Sequence, residues 1–309
     1  MNNIEIIGIG YCLQDKMQWY DSSHIATNSS VFYNPDFNVK KRGLKYKNVA
    51  TKVALYAVEQ ALLCAGCTFK QGKINSKDIA VIVATTTGNL EDIGTQIEVI
   101  NNKCSLDLSP MSGPNLSSNI IASTIAIWYN LYGFNLTISN GPNSSIDAIE
   151  IAVNILAEKR ASKVIIVGCE ILSRYTNKLI EYKSPANYKQ GAIALVLENG
   201  IEHDKINKQQ NYQRLFIHVE DNTRIFNEDE IKMYIGKQNY KYLITPSCLI
   251  KKIEDNRIVD LESKVGYLDS TFGLIGILYS SKHLINGESS VLISGDSNYG
   301  YKYAKIERV

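Results

Sequence analysis

The chain has 309 residues, of which 45% are hydrophobic, and a formal net charge of +2 at pH 7. A chain of this length can bury a large core, as one big domain or as two halves. The small net charge predicts no strong attraction to nucleic acid or to an anionic membrane, and no segment approaches the roughly 18 to 20 apolar residues of a membrane span.

The first apolar run, residues 4–9, includes Glu5 and follows no basic segment. It is therefore predicted to be a strand rather than a signal peptide, and the expected location is the cytoplasm. Six cysteines are scattered along the chain, and Cys64 and Cys67 form its single C-x-x-C spacing. Reduced thiols are expected, with no metal site and no cofactor.

Apolar β-branched runs alternate with helical patterns, which predicts layered α/β structure. Strands are predicted at 4–9, 79–84, 136–139, 164–168, 192–197, 215–219, 242–245, 257–260, 291–294 and 303–307. Helices are predicted at 50–65, 116–132, 144–159, 229–235 and 270–285. The polar stretch 199–212 is expected to separate an N-terminal half, residues 1–200, from a C-terminal half, residues 201–309.

The most informative segment is a strand, a sharp turn and a helix start between residues 136 and 156. The strand precedes a turn at 140–143, and the helix begins at Ser144. This arrangement presents one side chain and a set of N–H groups to a substrate carbonyl, as acyl transfer requires. The residue presented here is Pro142, which offers neither a nucleophile nor an N–H group.

This elbow resembles that of the β-ketoacyl synthases of the thiolase fold, in which T-A-C-x-S-G-x-D-A-I carries the cysteine that accepts the acyl chain. Residues 139–149 align with that pattern without a gap and place Pro142 at the cysteine. Further segments are similar to family motifs: 84–88 to G-T-x-x-G, 168–170 to G-G-x-E and 191–198 to G-A-G-A-L-V-L-E. The resemblance implies a five-layered α-β-α-β-α fold with two duplicated halves, the C-terminal half being trimmed.

The C-terminal part keeps the family's frame without its catalytic side chains. Residues 264–273 are similar to K-S-x-x-G-H-x-x-G-A-x-G, with Tyr267 at the catalytic histidine and Glu262 at the preceding lysine. The loop of the second family histidine corresponds to 245–248, which has no histidine, and the glycine-rich G-F-G-G pattern is lost at 295–300. Four chemical positions have changed together. The resemblance therefore implies a member that no longer condenses, with no catalytic residue of its own.

Within this family, the resemblance implies a chain-length factor, a noncatalytic subunit that forms a heterodimer with an active ketosynthase. Such a subunit shapes the tunnel for a chain carried by an acyl carrier protein, in a type II polyketide, polyene or fatty acid system. Leu90, Ile93 and Ile97 have helical spacing and are the expected tunnel gate, although plain packing is an equal alternative. The expected dimer interface is Asn135, Leu136, Thr137, Ile138 and Ser139, with Trp128 and Tyr129, for which ordinary core packing is an equal alternative.

Two other functions remain open. The first alternative is an acyltransferase or decarboxylase with a displaced nucleophile at Ser144, Ser145 or Cys169. The second alternative is a purely structural partner of a thiolase-fold enzyme.

A run of basic residues could bind an acidic carrier protein, and the alternative is that it is only a solvated loop. Its residues are Lys40, Lys41, Arg42 and Lys45.

Overall fold

The computed structural model describes residues 4–13, 43–176, 188–200, 214–219 and 224–309. The strands in these ranges are β1 Ile4–Leu13, β2 Ile79–Ala84, β3 Asn135–Ile138, β4 Lys163–Glu170, β5 Gly191–Asn199, β6 Leu215–His218, β7 Tyr242–Ile244, β8 Ile258–Val259, β9 Ser289–Asp296 and β10 Gly300–Arg308. The α-helices are α1 Val49–Cys64, α2 Leu90–Asn102, α3 Ile120–Tyr129, α4 Ser144–Ala157, α5 Glu228–Gly236, α6 Ser247–Ile250, α7 Leu261–Val265 and α8 Phe272–His283.

The strands follow one hydrogen-bonded order, β3-β2-β4-β5-β1-β6-β10-β9-β7-β8. The order is duplicated about the pair β1 and β6, because β1 to β5 occupy the same relative places as β6 to β10. In each half the three strands nearest the edge are parallel, and the two remaining strands are antiparallel to their neighbours. The predicted duplication is confirmed. The division at residue 200 stays a prediction, since 201–213 lie outside the described residues.

Alternate residues of the central strands belong to different hydrophobic cores, one on each face of the strands. The fold therefore has five layers. On β4, Val164 and Ile166 face a central core with α4 and α8, whereas Ile165 and Val167 face an outer core with α1 and α3. In the second half, a third core places α5 over the outer face of β7 and β9. This period-two alternation buries both faces of the sheets and confirms the predicted thiolase-like layering.

Close contact between α1 and β1 explains the G-x-G at residues 8–10. A Cβ atom at Gly8 would lie 2.2 Å from the Ala61 carbonyl oxygen, and one at Gly10 would lie 2.1 Å from that of Ala57. Only glycine allows the helix to approach the strand this closely. The Asn48 side chain caps α1 by accepting a hydrogen bond from the Thr51 N–H at 2.9 Å.

The predicted helix over 116–132 is the main correction among the elements. The observed α3 begins at Ile120, because residues 113–116 form a separate 3-10 turn. It ends at Tyr129, because Asn130 takes the left-handed conformation with φ of 54°. In the described part of the chain, no helix is long and apolar enough to cross a membrane.

The two halves meet at a short strand pairing reinforced by an ion pair. β1 and β6 are paired at Ile4 with Ile217 and at Glu5 with Phe216. The Arg214 guanidinium donates to both Glu5 carboxylate oxygens, at 3.0 and 2.6 Å, and to the Gly200 carbonyl at 3.1 Å. The Glu5 side chain is only 6% exposed. A bidentate pair in this setting is strong, and loss of one partner leaves a buried charge.

We therefore expect Arg214→Ala to lower the free energy of unfolding by about 3 kcal/mol. Urea unfolding followed by circular dichroism measures the change. The matched control is Arg160→Ala, since the Arg160 and Glu158 side chains are 60% and 62% exposed and such a pair contributes less than about 1 kcal/mol. Equal effects of the two substitutions would show that the junction is not stabilised by this ion pair.

Candidate functional site

The elbow turn, residues 141–143, joins β3 to α4 and is entirely buried. Gly141 has φ of 57°, and the Tyr299 ring packs against it, 3.0 to 3.2 Å from where a Cβ atom would lie. The Pro142 carbonyl accepts a hydrogen bond from the Ser294 hydroxyl, and the Asn143 amide donates to the Gly300 carbonyl at 2.9 Å. The elbow is therefore held by packing and hydrogen bonds and presents no nucleophile at Pro142.

The three alternative nucleophiles are all fully buried, at 0% exposure. The Ser144 hydroxyl donates to the Gly141 carbonyl at 2.7 Å and accepts from the Asn140 N–H at the same distance. The Ser145 hydroxyl accepts from the Gly273 N–H at 3.0 Å. Burial raises the pKa of the Cys169 thiol well above its ordinary value, and the nearby Glu170 raises it further. These environments suit structural side chains rather than acyl acceptors.

Tyr267, which the motif alignment places at the family's catalytic histidine, belongs to a pair of packed phenols. Its ring meets that of Tyr188 edge to face, with centroids 4.8 Å apart. Its hydroxyl donates to Asp269 Oδ1 at 3.0 Å. Burial, and then the Asp269 charge, raise the pKa of the Tyr267 phenol far above its ordinary value. Tyr267 therefore stays protonated at neutral pH and cannot act as a base there.

Glu262, which the motif alignment places at the family lysine, lies on α7 and contacts the loop 245–248. Its carboxylate accepts a hydrogen bond from the Ser247 N–H at 3.3 Å, and burial raises its pKa. In the same loop Thr245 is fully buried, and its hydroxyl has no hydrogen-bond partner among the described residues. This part of the site thus offers a carboxyl and a hydroxyl.

Glu170, at the carboxyl end of β4, connects three segments of the site. Its carboxylate accepts from the N–H groups of Thr86 at 2.7 Å and Thr87 at 2.9 Å, and from the hydroxyls of Thr87 and Ser270. Burial, and then the charge of Asp269, raise the pKa of Glu170 above its ordinary value. The carboxyl ends of parallel strands gather at one edge of a sheet. There Glu170 holds the loop after β2 against the 269–271 turn.

The electrostatic environment of the site is acidic. Burial is the main cause of the raised pKa of Tyr188, and the charges that raise it further belong to four carboxyl groups. They are Asp269, Glu170, Glu262 and Asp296. Glu170 belongs to the segment similar to the family motif G-G-x-E, so its carboxyl does not by itself distinguish this chain from an active family member.

The predicted gate residues lie on one stripe of α2 and are not buried by this chain. Leu90 and Ile93 are half-buried, and Ile97 is 51% exposed. The predicted interface strand is β3, which has β2 as its neighbour among the described strands and lies at the edge of the sheet. Its residues and Ser139 are half-buried or exposed.

Tyr129 was expected at the interface but lies in the core. It is 2% exposed, packs edge to face on Phe69 at 5.8 Å, and donates its hydroxyl to the Leu55 carbonyl at 3.4 Å. Its neighbour Trp128 is half-buried under the Lys73 ammonium. Lys45 is exposed, and the other three basic residues of the predicted carrier-protein surface, Lys40, Lys41 and Arg42, lie outside the described residues.

Sequence reasoning missed Tyr188, Asp269 and the hydrogen-bonding role of Glu170. Tyr188 lies far from Tyr267 in sequence, and only the fold pairs their rings. One signal was available for Asp269, since it lies two residues after the tyrosine that replaces the histidine. Its role as acceptor for that tyrosine follows from the polar end of the new side chain, which must be satisfied when buried.

The profile of the family described as Beta-ketoacyl synthase, N-terminal domain, matches residues 20–178, just over half of the chain. The chain belongs to the β-ketoacyl synthase family. A search of curated proteins gave no match.

Several solved structures of ketosynthases are similar over the whole chain. "AntDE:AntF (apo): type II PKS acyl-carrier protein in complex with its ketosynthase bound to the hexaketide" has a TM-score of 0.74 and 15% identity, with 100% of both chains covered. "The ishigamide ketosynthase/chain length factor" has a TM-score of 0.67 and 14% identity, with 99% of each covered. A β-ketoacyl synthase from Burkholderia phymatum STM815 has a TM-score of 0.64 and 13% identity, with 100% of both covered. At these identities the likeness establishes the fold.

The two buried carboxyl groups Glu170 and Asp269 predict that the stability of this β-ketoacyl synthase homologue depends on pH. Because folding raises the pKa of Glu170, the native state keeps a proton that the unfolded chain loses above the ordinary glutamate value of about 4.3. The free energy of unfolding therefore falls as pH rises through the folded pKa. Asp269→Asn removes the like charge and keeps an oxygen that can accept from Tyr267. It should reduce this fall between about pH 5 and pH 8 by on the order of 1 kcal/mol.

Urea unfolding at several pH values measures this difference. The control is Asp229→Asn, because the Asp229 side chain is 87% exposed on α5. Its profile should run parallel to that of the unmodified chain. A profile for Asp269→Asn that also runs parallel would contradict the coupling of Glu170 to Asp269.

Proposed function

We propose that this family member is a noncatalytic ketosynthase-like subunit of the chain-length-factor kind. It forms a heterodimer with an active ketosynthase and shapes the tunnel for an acyl chain carried by an acyl carrier protein. The system is of type II, making a polyketide, a polyene or a fatty acid.

The observation that carries this proposal is Pro142, buried in an intact elbow. The strand, the left-handed Gly141 and the start of α4 are all kept, while the position of the nucleophile is closed by packing. The elbow keeps its fold but has no nucleophile, and this supports a role in assembly with an active enzyme.

A second observation is a concentration of exposed apolar side chains in one part of the chain. Within the described residues, eight of the fifteen exposed large hydrophobic side chains fall between 97 and 134. They are Ile97, Ile100, Leu106, Met111, Leu116, Ile127, Tyr132 and Phe134. This segment runs from α2 to the strand β3, whose outer edge has no partner among the described strands. Exposed apolar surface beside a strand edge supports a protein interface.

The structural neighbours agree with this choice of partner. One is described as a ketosynthase/chain length factor, and another as an acyl carrier protein in complex with its ketosynthase. These descriptions belong to those proteins, and at this level of identity they support the proposal through the shared fold alone.

We expect the purified chain to show no condensation of malonyl and acyl thioesters, and Pro142→Cys to remain inactive. Tyr267 stays protonated, and Glu262 stands where the alignment places the family lysine. Product formation is measured by mass spectrometry, with the active ketosynthase as the positive control. Turnover by the unmodified chain would contradict the noncatalytic role, whereas turnover by Pro142→Cys alone would contradict only the account of Tyr267 and Glu262.

The gate is tested on the complex that this chain forms when it is co-expressed with an active type II ketosynthase. We expect a 1:1 complex, and we expect Ile93→Ala to lengthen the product by about one elongation step, because a smaller side chain leaves room for more methylenes. The control is Ile285→Ala, since Ile285 is 61% exposed beyond the end of α8.

The product lengths distinguish the two roles that a partner subunit can have. Unchanged lengths in intact complexes with alanine at Leu90, Ile93 and Ile97 would support a purely structural partner and remove these residues from the gate. Failure of every co-expressed type II ketosynthase to bind the chain would contradict the heterodimer itself.

A further inference from the structure

The segment that follows β4 lies along one side of α2. Its residues Arg174 and Tyr175 form what we call the α2 clamp. The Arg174 guanidinium lies 2.7 Å from a carboxylate oxygen of Glu98 and 3.8 Å from one of Glu91. It also lies over the Tyr175 ring, 4.7 Å from the centroid. The clamp therefore contacts two separate turns of α2.

The closest contact is between the Tyr175 ring and Gly94. A Cβ atom at Gly94 would lie 2.4 to 2.5 Å from three atoms of that ring, a distance that real Cβ atoms do not reach. All thirteen residues of α2 are described, and Gly94 alone among them is buried. The ring therefore determines how close α2 lies to the body of the protein. The exposed Arg174 ion pairs contribute less, because solvent screens them.

The clamp stripe on α2 lies beside the predicted gate stripe. Glu91, Gly94 and Glu98 are each one residue after Leu90, Ile93 and Ile97, so the two stripes are about 100° apart around the helix. A shift of α2 away from the clamp therefore moves the gate side chains sideways across the tunnel. At its N-terminal end, α2 is also held by the Asn48 amide, which donates to the Asp92 carboxylate at 3.0 Å.

We propose that Gly94 and Tyr175 are positioning residues that set where α2 places Ile93 and Ile97, and thus the length of the product. This inference rests on the proposed function and adds to it the residues that determine specificity from outside the tunnel. The rigid ring acts as the spacer, and glycine is required because any side chain would separate helix and ring.

The test is a double-substitution cycle on the complex that this chain forms when it is co-expressed with an active type II ketosynthase. Gly94→Ala is made in the unmodified background and in a Tyr175→Ala background, and the distribution of product masses is compared. The matched control is Gly236→Ala at the end of α5, where a Cβ atom would meet nothing within 4 Å. We expect Gly94→Ala to shift the main product by at least about one elongation step in the unmodified background. We expect no added shift in the Tyr175→Ala background, since the ring is gone.

The inference is overturned by unchanged products for Gly94→Ala in an intact complex, or by the same shift in both backgrounds. If Gly94→Ala prevents assembly, recovery of the complex by added Tyr175→Ala supports the spacer role, and no recovery overturns it. The Ile93→Ala variant distinguishes a failure of the clamp from a failure of the proposed gate. A product change with Ile93→Ala and none with Gly94→Ala contradicts the clamp alone, whereas no change with either contradicts the gate of the proposed function.

Discussion

The site depends on the contact between α4 and α8, the two helices of the central layer. They meet where the Gly273 N–H donates to the Ser145 hydroxyl, and a Cβ atom at Gly273 would lie 2.5 Å from that oxygen. Both residues lie in the first turn of their helices, so both helices begin at the same edge of the fold. The turns that precede them, 141–143 and 269–271, are therefore brought into contact. Duplication of the fold thus produces one composite site from two equivalent turns.

That composite site contains buried polar groups that need hydrogen-bond partners. Glu170 accounts for several of them, since its carboxylate accepts from two backbone N–H groups and two hydroxyls. As a consequence, the Glu170 carboxyl is buried near that of Asp269, and burial together with the Asp269 charge raises the pKa of Glu170. At this edge the two carboxyl groups act as hydrogen-bond acceptors. Glu170 joins the loop after β2 to the 269–271 turn, and Asp269 accepts from the Tyr267 hydroxyl.

The fold was largely predictable from sequence, because the strands are buried and read as continuous apolar runs. β2 was predicted at its observed bounds, and the other predicted strands overlap observed ones. The helix list omitted α2, whose helical character was visible only in the spacing of Leu90, Ile93 and Ile97. The apolar stripe of α2 is not buried by this chain, so the amphipathic pattern that marks a buried helix face is weak there. The motif alignment located Pro142, Tyr267 and Glu262, since those positions are local in sequence.

What sequence could not give are contacts between segments far apart in the chain. The expected surface role of Tyr129 was wrong because a helix of nearly uniform apolar character does not reveal which side faces the core. The ring of Tyr175 on Gly94 and the ring of Tyr299 on Gly141 are likewise tertiary contacts, with no local pattern to announce them.

These two ring contacts have opposite consequences. At Gly141 the ring packs on an elbow that is already buried, so Pro142 is part of the core. At Gly94 the ring supports a helix on which Ile97 and Ile100 stay about half exposed. Apolar surface left exposed in this way costs solubility unless another protein covers it. The elbow is therefore closely packed, whereas α2 keeps apolar side chains exposed, and a partner subunit that covered them would bury apolar surface.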